Sequence, residues 1–237
     1  MSDPNFPPNL DIRPLLVDQD VNGDSWKQKE GIAKYGIAGR IWEAGQPLLE
    51  YFTPGGNFNP SCSLFTKGPH RLIELGSGQS LPTLHLASHL SRDDLVVLTD
   101  LPSVIPLCEQ SIEIWERGRE SHAEVIARPA AWGEDTSSLR ELGPFTHVLL
   151  CDLLMVDKSR TLALEESFFD SLSLYFQLVP VTGAEWEARV YICRRWKVTK
   201  DWSIPDKRIV MNGSKEVITG RSFGLVDQMF GSLEWEV

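Results

Sequence analysis

The chain has 237 residues, of which 42% are hydrophobic and 24% are charged, the usual mixture for a globular protein. Its 33 acidic residues outnumber its 23 basic residues, and a net charge of −10 gives no electrostatic basis for binding duplex DNA. No apolar run approaches the roughly 20 residues that a membrane-spanning helix needs, which argues against an integral membrane protein.

The sequence carries no sign of a secretory leader or of a metal site. Its first residues lack the basic and apolar segments of a signal peptide. The four cysteines form no C-x-x-C pair, so we expect no structural zinc and no other bound metal. We therefore expect a reducing compartment, the cytoplasm, with the nucleus as an open alternative.

The acidic charge is concentrated in the middle of the chain. Residues 1–67 have a net charge of −2 and residues 181–237 of +1, whereas residues 68–180 hold 17 acidic against 8 basic side chains. An acidic surface would attract a basic partner, and it would equally well serve only to solvate the protein. Both interpretations stay open at this point.

The N-terminal part combines an irregular segment with one helix. The first 30 residues are rich in Pro, Asn and Asp and are predicted to be irregular, with at most a short strand at Ile12–Val17. Apolar residues recur at helical spacing from Ile41 to Tyr51, where Pro47 favours a helix start. We predict that residues 1–67 form an N-terminal extension and residues 68–237 a domain, which together make one compact unit.

From residue 71 onwards, buried-strand patterns alternate with helical patterns. The predicted strands are Arg71–Leu75, Asp94–Thr99, Glu124–Ala127, Thr146–Cys151 and Ala188–Cys193, with less clear candidates at Arg208–Met211 and Ser232–Val237. The predicted helices between them are Leu81–Leu90, Pro102–Arg117 and Ser159–Leu178. The alternation predicts an α/β fold of the Rossmann-like kind, with a parallel sheet covered by helices on both faces.

A glycine-containing turn follows the first predicted strand. In a parallel sheet, ligands bind at the carboxyl ends of the strands, and glycines there let a ligand approach the backbone N–H groups at a helix start. Gly76, Ser77 and Gly78 fit this role, although they also fit an ordinary strand-to-helix turn. The dinucleotide fingerprint needs a third glycine where Leu81 stands, and no P-loop Lys follows, so NAD, FAD and P-loop nucleotides are not expected.

Acidic and aromatic residues follow the other strands. Asp100 ends the second strand, where a carboxylate can accept hydrogen bonds from two ribose hydroxyls or cap the next helix. Trp132 follows the third strand and either covers an adenine ring or packs in the core. Asp152 ends the fourth strand, where it either holds an amine group or caps a helix. The four strand ends together are more specific than any one of them.

With these strand ends the sequence resembles the class I methyltransferases that use S-adenosylmethionine, and among them lysine methyltransferase family 16. The resemblance covers most of residues 36–155, including the upstream Trp42, which methyltransferases in general lack. The matching stretches are GRIWEA at 39–44, LIELGSG at 72–78, LTDLP at 98–102, WG at 132–133 and CD at 151–152.

This resemblance implies a sheet of seven strands in the order 3-2-1-4-5-7-6, one of them antiparallel. It implies S-adenosylmethionine as cofactor and S-adenosylhomocysteine as product. It assigns to the cofactor Glu74, Gly76, Ser77 and Gly78 on the methionine side, Asp100 and Leu101 at the ribose, Ala131 and Trp132 at the adenine, Trp42 as a cover, and Cys151. Asp152 becomes the catalytic residue, as the first residue of the family's Asp-x-x-Tyr motif, in contact with the cofactor and the substrate amine.

Two departures from the family pattern stand out. The motif reads Asp152-Leu153-Leu154-Met155, and the methionine that replaces tyrosine offers no useful hydrogen bond to a target amine. The usual Gly-Thr-Gly continuation reads Gly78-Gln79-Ser80, where Gln79 either reaches the cofactor or narrows its cleft. The first departure concerns the substrate more than the cofactor.

The predicted function is protein-lysine N-methylation by a monomer, acting on a protein whose target lysine lies in a basic segment. Two alternatives stay open. Met155 and the aromatic residues Phe65, Trp115 and Trp132 favour a small-molecule acceptor, whereas Met155 and Ser80 favour a non-catalytic interaction module with Arg194–Lys197 as its docking patch. Neither nucleic acid nor a membrane is an expected partner.

Overall fold

The computed structural model describes residues 3, 5–7, 10–15, 24–117, 123–132, 134–152, 171–186, 188, 190–200 and 203. The chain divides into two units, of which the first comprises Met1–Leu153 with Gly183–Arg189. The second unit comprises Leu154–Thr182 with Val190–Val237. The boundary placed at residue 67 from the sequence stays a prediction.

The first unit contains a parallel sheet of four strands in the order β3-β2-β1-β4. The strands are β1 (Arg71–Leu75), β2 (Leu95–Asp100), β3 (Glu124–Pro129) and β4 (His147–Leu150). All four predicted strands of this region are confirmed to within two residues at each end. The α/β class and the parallel pairing are therefore confirmed, together with four strands of the implied order.

The sheet is buried most completely along its second strand. Leu95, Val96, Val97 and Leu98 of β2 are all buried, which is the burial expected of a strand covered on both faces. Each such side chain contributes about 1.5–3 kcal/mol when it leaves water. By contrast, Val148 and Leu150 of β4 are exposed.

Among the described residues of the first unit, five helices and two 3₁₀ turns accompany the sheet. The helices are α1 (Asp24–Tyr35), α2 (Gly45–Tyr51), α3 (Leu81–Ala87), α4 (Ile105–Glu116) and α5 (Ser137–Arg140), and the turns are Gly36–Gly39 and Ser63–Phe65. Helices α3 and α4 begin with proline in their first turn, where its missing N–H costs nothing. The apolar side of α4 is buried through Leu107, Cys108, Ile112 and Trp115. None of the helices in the described ranges is long and apolar enough to cross a membrane.

The helix α1 corrects the prediction that the first 30 residues are irregular. Its sequence is polar and contains Gly31, so local propensity gives little helical signal. Tertiary contact accounts for the helix: a Cβ on Gly39 would lie only 2.1 Å from the Gly31 carbonyl, so two glycines let the 3₁₀ turn pack against α1. Residues 11–15 form no strand; Leu15 instead bonds through its N–H and carbonyl to the side chain of the buried Gln28.

The second unit contains an antiparallel pair, β5 (Phe176–Pro180) and β6 (Tyr191–Arg195). The predicted strand at Ala188–Cys193 is confirmed with a shift towards the C-terminus. The predicted helix at Ser159–Leu178 is wrong at its end, because residues 171–175 are helical and a strand begins at Phe176. Pairing with β6, which local periodicity does not reveal, decides this boundary. The rest of that helix and the two strand candidates near the C-terminus lie outside the described residues.

Candidate active site at the carboxyl ends of the parallel strands

Four strand ends meet at one edge of the parallel sheet. Leu75 at the end of β1 is in register with Thr99 on one side and Leu150 on the other, and Asp100 is in register with Pro129. The chain leaves β1 towards β2 and β3 and returns on the other side as β4, so the switch point lies between β1 and β4. Open α/β sheets bind their ligands in the crevice at this point.

The turn after β1 has a left-handed backbone at three positions. Gly76 has a φ of 66°, Gly78 of 48° and Ser80 of 57°. A Cβ on Gly78 would lie 2.9 Å from the carbonyl oxygen of Ala38, so glycine is required there for space as well as for conformation. Ser80 departs from the family glycine, and it nevertheless adopts the conformation that glycine favours.

Hydrogen bonds join this turn to the end of β2. The N–H of Ser77 donates to the carbonyl of Thr99 at 2.9 Å, and the N–H of Thr99 donates to the Ser77 hydroxyl at 3.0 Å. The Thr99 hydroxyl in turn donates to the carbonyl of Glu74 at 2.6 Å. The turn is therefore held in place by the neighbouring strand.

The Asp100 carboxylate accepts hydrogen bonds from two backbone N–H groups. Its Oδ2 accepts a hydrogen bond from the N–H of Gly78 at 2.8 Å, and its Oδ1 accepts one from the N–H of Leu101 at 2.7 Å. Burial raises the pKa of the Asp100 carboxyl, and these two N–H groups oppose the shift. Each oxygen keeps a second lone pair with which to accept a bond from a ligand.

Glu74 lies buried beneath the turn. Its side chain is 2% exposed, and its Oε2 atom has no hydrogen-bond partner. Burial raises the pKa of Glu74 to about 7; the nearby hydroxyls of Thr83 and Ser77 oppose this shift, and the charge of Asp100 adds to it. Two further buried oxygens of the described residues, Ser80 Oγ and Thr83 Oγ1, also lack a partner. Unsatisfied buried polar atoms are rare, and here they cluster at one turn.

The segment before α2 lies against the turn. The side-chain amide of Gln79 donates to the carbonyl oxygen of Gly39, so Gln79 joins this segment to the turn. Trp42 donates from Nε1 to the carbonyl of Ile37 at 3.1 Å. The guanidinium of Arg40 lies over its ring, 4.3 Å from the ring centroid.

The loop after β3 brings an exposed aromatic ring to the same edge. The N–H of Ala130 donates to the carbonyl of Asp100 at 2.8 Å, which fixes the start of the loop. Trp132, two residues further on, is 65% exposed, and Ala131 is half-buried. Packing of Trp132 in the core is therefore ruled out. The neighbouring glycine of the WG motif lies outside the described residues.

The end of β4 places a carboxylate at the switch point. Asp152 has a φ of 52°, a left-handed conformation that aspartate tolerates better than most residues. Its side chain is exposed, yet partial desolvation and the charge of Glu43 raise its pKa, while Arg40 opposes this. Cys151 is half-buried, and burial raises the pKa of its thiol to about 12, so the group stays protonated. Met155 lies outside the described residues.

The family model of the lysine methyltransferases matches residues 22–172, well over half of the chain. The chain belongs to this family. The match contains the whole four-stranded sheet and every residue assigned to the site above. No curated protein matches the chain. Membership makes the protein a methyltransferase, and S-adenosylmethionine is the methyl donor that the family implies.

Within this methyltransferase, hydrogen bonds connect the residues assigned to the methionine and ribose sides. Thr99 bonds to Glu74 and Ser77, and Asp100 bonds to Gly78 and Leu101. Ala131 and Trp132 follow β3, and Cys151 and Asp152 follow β4, at the same edge of the sheet. Trp42 belongs to the segment that Gln79 holds against the turn.

Sequence reasoning missed two features of the site. The first is the set of hydrogen bonds made by Thr99, for which the sequence offers a signal, because this threonine directly precedes the strand-end aspartate. The second is the contact between Gln79 and Gly39, which joins residues 40 positions apart and which no local sequence signal indicates.

Proposed function

We propose that this methyltransferase transfers the methyl group of S-adenosylmethionine to the side chain of a lysine in a protein. The observation that carries the proposal is Asp152, an exposed carboxylate at the switch point between β1 and β4, beside the turn that follows β1. It belongs to the segment that holds most of the protein's negative charge. A carboxylate in this position is suited to receive the ammonium end of lysine.

The residues present fit S-adenosylmethionine. A buried carboxyl oxygen of Glu74 and the hydroxyl of Ser80 lack partners, and an amino group of a ligand would supply donors to both acceptors. Asp100 has free lone pairs for the two ribose hydroxyls, and the exposed ring of Trp132 offers a flat apolar surface to a base.

The roles of the other residues follow from their places. Gly76, Ser77 and Gly78 expose a backbone on which the methionine part would rest, and Leu101 and Ala131 would border the ribose and the adenine. Trp42 would cover the cofactor from the segment that Gln79 joins to the turn. Cys151, with its protonated thiol, would contribute packing between β4 and the cofactor.

When bound, S-adenosylmethionine supplies an electrophilic methyl group, which forms a bond to a neutral amine nitrogen as the carbon–sulfur bond breaks and S-adenosylhomocysteine is released. The protein contributes position and electrostatics. Asp152 would accept a hydrogen bond from the amine and hold it in line. The lysine ammonium would lose one proton to solvent before the transfer, and the ionised Asp152 would then hold the neutral amine through this hydrogen bond.

The acceptor is proposed to be a protein with a basic segment, because the acidic residues of the middle segment would attract one. The small-molecule alternative loses part of its basis, since Trp115 is buried in α4 and donates to Ser88 at 2.9 Å. We propose that the enzyme acts as a monomer in the cytoplasm or the nucleus. We also infer the complete family sheet of seven strands.

The test is incubation of the full chain with S-adenosylmethionine labelled in its methyl group and a cell extract. We expect label in a protein band, on lysine. Asp152→Asn should lower the rate at least tenfold and leave S-adenosylhomocysteine binding within twofold, whereas Asp93→Asn, which removes one exposed charge before β2, should change neither.

Label in a low-mass fraction would point instead to a small-molecule acceptor. Absence of S-adenosylhomocysteine binding in calorimetry would point to a non-catalytic interaction module. Either result overturns the proposal.

A further inference from the structure

A buried glutamine of α1 holds two segments that are separated in the chain. The Gln28 side chain is 1% exposed. Its Oε1 accepts hydrogen bonds from the N–H of Leu15 at 3.0 Å and from the N–H of Ile41 at 3.3 Å, and its Nε2 donates to the carbonyl of Leu15 at 3.3 Å. Ile41 belongs to residues 37–42, which end in Trp42 and which we call the cover segment. The Gln28 oxygen therefore uses both of its lone pairs to join the cover segment to the chain before α1.

Two backbone carbonyls from the chain before α1 hold the cover segment as well. The N–H of Ile37 donates to the carbonyl of Asn5 at 3.0 Å, and Nε of Arg40 donates to the carbonyl of Arg13 at 2.7 Å. The described residues before α1 form no strand or helix, so their backbone groups bond to other segments. Together with the Gln28 bond, these contacts fix the cover segment at three places along its length.

The ring of Trp42 is tied to the cover segment by its own contacts. Its Nε1 donates to the carbonyl of Ile37 at 3.1 Å, and the guanidinium of Arg40 lies over the ring. Arg40 is held in turn by an ion pair with Glu43, through two bonds of 2.8 and 2.6 Å. The position of the ring therefore follows the position of the segment's backbone.

The cover segment also lies against the turn after β1. The carbonyl oxygen of Ala38 packs against Gly78, and the carbonyl of Gly39 accepts the bond from Gln79. A displacement of the segment would change both contacts, and it would move Trp42 relative to the turn on which the methionine part of the cofactor is proposed to rest.

We propose that Gln28 is a positioning residue for the cofactor, which sets the place of Ile41 and through it the place of Trp42. The inference deepens the proposed function and rests on the cofactor role that it gives to Trp42. An amide with a purely structural role stabilises the fold without acting through Trp42. A positioning amide changes the affinity for the cofactor, and this change depends on the presence of the Trp42 ring. A double-mutant cycle separates the two roles.

The experiment measures the affinity for S-adenosylhomocysteine by calorimetry, with the full chain as wild type, Gln28→Met, Trp42→Ala and the double variant. Methionine is close to glutamine in length and volume but cannot make the three bonds. We expect Gln28→Met to weaken binding about fivefold and Trp42→Ala about tenfold. The double variant should lose about tenfold, and not the roughly fiftyfold that independent effects would give.

Thr146→Val provides the matched control. The Thr146 hydroxyl also bonds to the N–H and the carbonyl of one residue, Arg71, at 2.9 and 3.2 Å, but at the amino end of the sheet. This variant should lower the unfolding free energy and leave the affinity for S-adenosylhomocysteine within about twofold of the wild type. If Gln28→Met does not fold, Gln28→Asn repeats the cycle, since its amide is one carbon shorter and cannot make all three bonds.

Wild-type affinity in the folded Gln28 variant would overturn the inference alone. A roughly fiftyfold loss in the double variant would also overturn it, because Gln28 would then act independently of Trp42. Unchanged affinity in Trp42→Ala would remove the cover role and the inference with it. Failure of the wild type to bind S-adenosylhomocysteine would overturn both the proposed function and the inference, whereas intact binding without label on lysine would overturn the proposed acceptor alone.

Discussion

The two halves of the crevice differ in how firmly they are built. At the ends of β1 and β2, Ser77, Gly78, Thr99 and Asp100 are joined by hydrogen bonds, and the Glu74 side chain is buried beneath them. At the ends of β3 and β4, the side chains of Trp132 and Asp152 are exposed, as are apolar residues of β4 itself.

The fixed residues are those assigned to the methionine and ribose parts of the cofactor, whereas Asp152, in the exposed half, is assigned to the acceptor. A cofactor has one shape, so the residues assigned to its methionine and ribose parts can be fixed before it binds, which lowers the entropic cost of binding. An acceptor has to enter and leave, and Asp152 is accordingly open to solvent. The following predictions test this contrast, from the largest expected effect to the smallest.

Asp100→Asn tests the fixed half most strongly. The variant loses the charged acceptor for two ribose hydroxyls, which should cost about 3–4 kcal/mol, or roughly 300-fold in affinity for S-adenosylhomocysteine. Calorimetry measures the change, with Asp93→Asn as the exposed control. An affinity loss below fivefold would show that Asp100 only supports the turn.

Glu74→Gln tests the buried carboxyl through pH. The folded pKa of about 7 lies above the usual 4.5, so between these values the folded state keeps a proton that the unfolded state has lost. Wild-type stability should therefore fall as pH rises across that interval, by about 3 kcal/mol at pH 8. The variant does not titrate at this position.

The measurement for Glu74→Gln is urea unfolding at pH 5 and pH 8. The difference in unfolding free energy, variant minus wild type, should increase by about 2.5 kcal/mol between the two. Glu113→Gln, which removes an exposed charge from α4, should show no such change. A difference that is independent of pH would contradict the assignment. At pH 8 the variant should also bind S-adenosylhomocysteine less well, so that stability and binding move in opposite directions.

Trp132→Ala tests the exposed half. Because the ring is mostly in solvent, its removal should change the unfolding free energy by less than about 0.5 kcal/mol. If the ring covers the adenine, the affinity for S-adenosylhomocysteine should fall by about 1 kcal/mol, or roughly fivefold. Thermal unfolding with and without the ligand reports both quantities. A large loss of stability in the absence of ligand would show that Trp132 supports the fold, and it would contradict the difference between the two halves.

Ser80→Gly tests whether the fixed half carries strain. Serine in a left-handed conformation is unfavourable, and its hydroxyl is buried without a partner. Glycine should raise the unfolding free energy by about 0.5–1 kcal/mol, after allowance for its greater freedom in the unfolded chain. Chemical denaturation measures this. A destabilised variant would mean that the Ser80 side chain makes a contribution that outweighs its conformation.

The sheet and its strand ends were predictable because their signals are local. Continuous apolar runs marked β1 to β4, and Gly76, Asp100 and Asp152 follow directly after three of them. The helix α1 was not predictable, since it depends on the close approach of two glycines from different segments.

Local sequence also identified residues of the site, but it did not show their hydrogen bonding or their pKa shifts. It placed Glu74 on the methionine side, but the unpartnered oxygen and the raised pKa come from packing by residues distant in the chain. The Arg40–Glu43 pair has the three-residue spacing that permits an ion pair, yet nothing in the sequence connects it to Asp152. Chemistry at a strand end can be predicted from pattern, whereas electrostatic coupling across the crevice needs coordinates.

The paired bonds between Ser77 and Thr99 determine how a ligand can enter. Because each residue holds the other's backbone N–H, the turn belongs to the same cooperative opening unit as β1 and β2, and the amide of Ser77 should exchange with deuterium as slowly as those of the strands. A turn locked to this degree cannot swing aside without local unfolding of the sheet. A ligand must therefore enter with this turn in place, next to the segment bearing Trp42 that the Gln79 side chain joins to it.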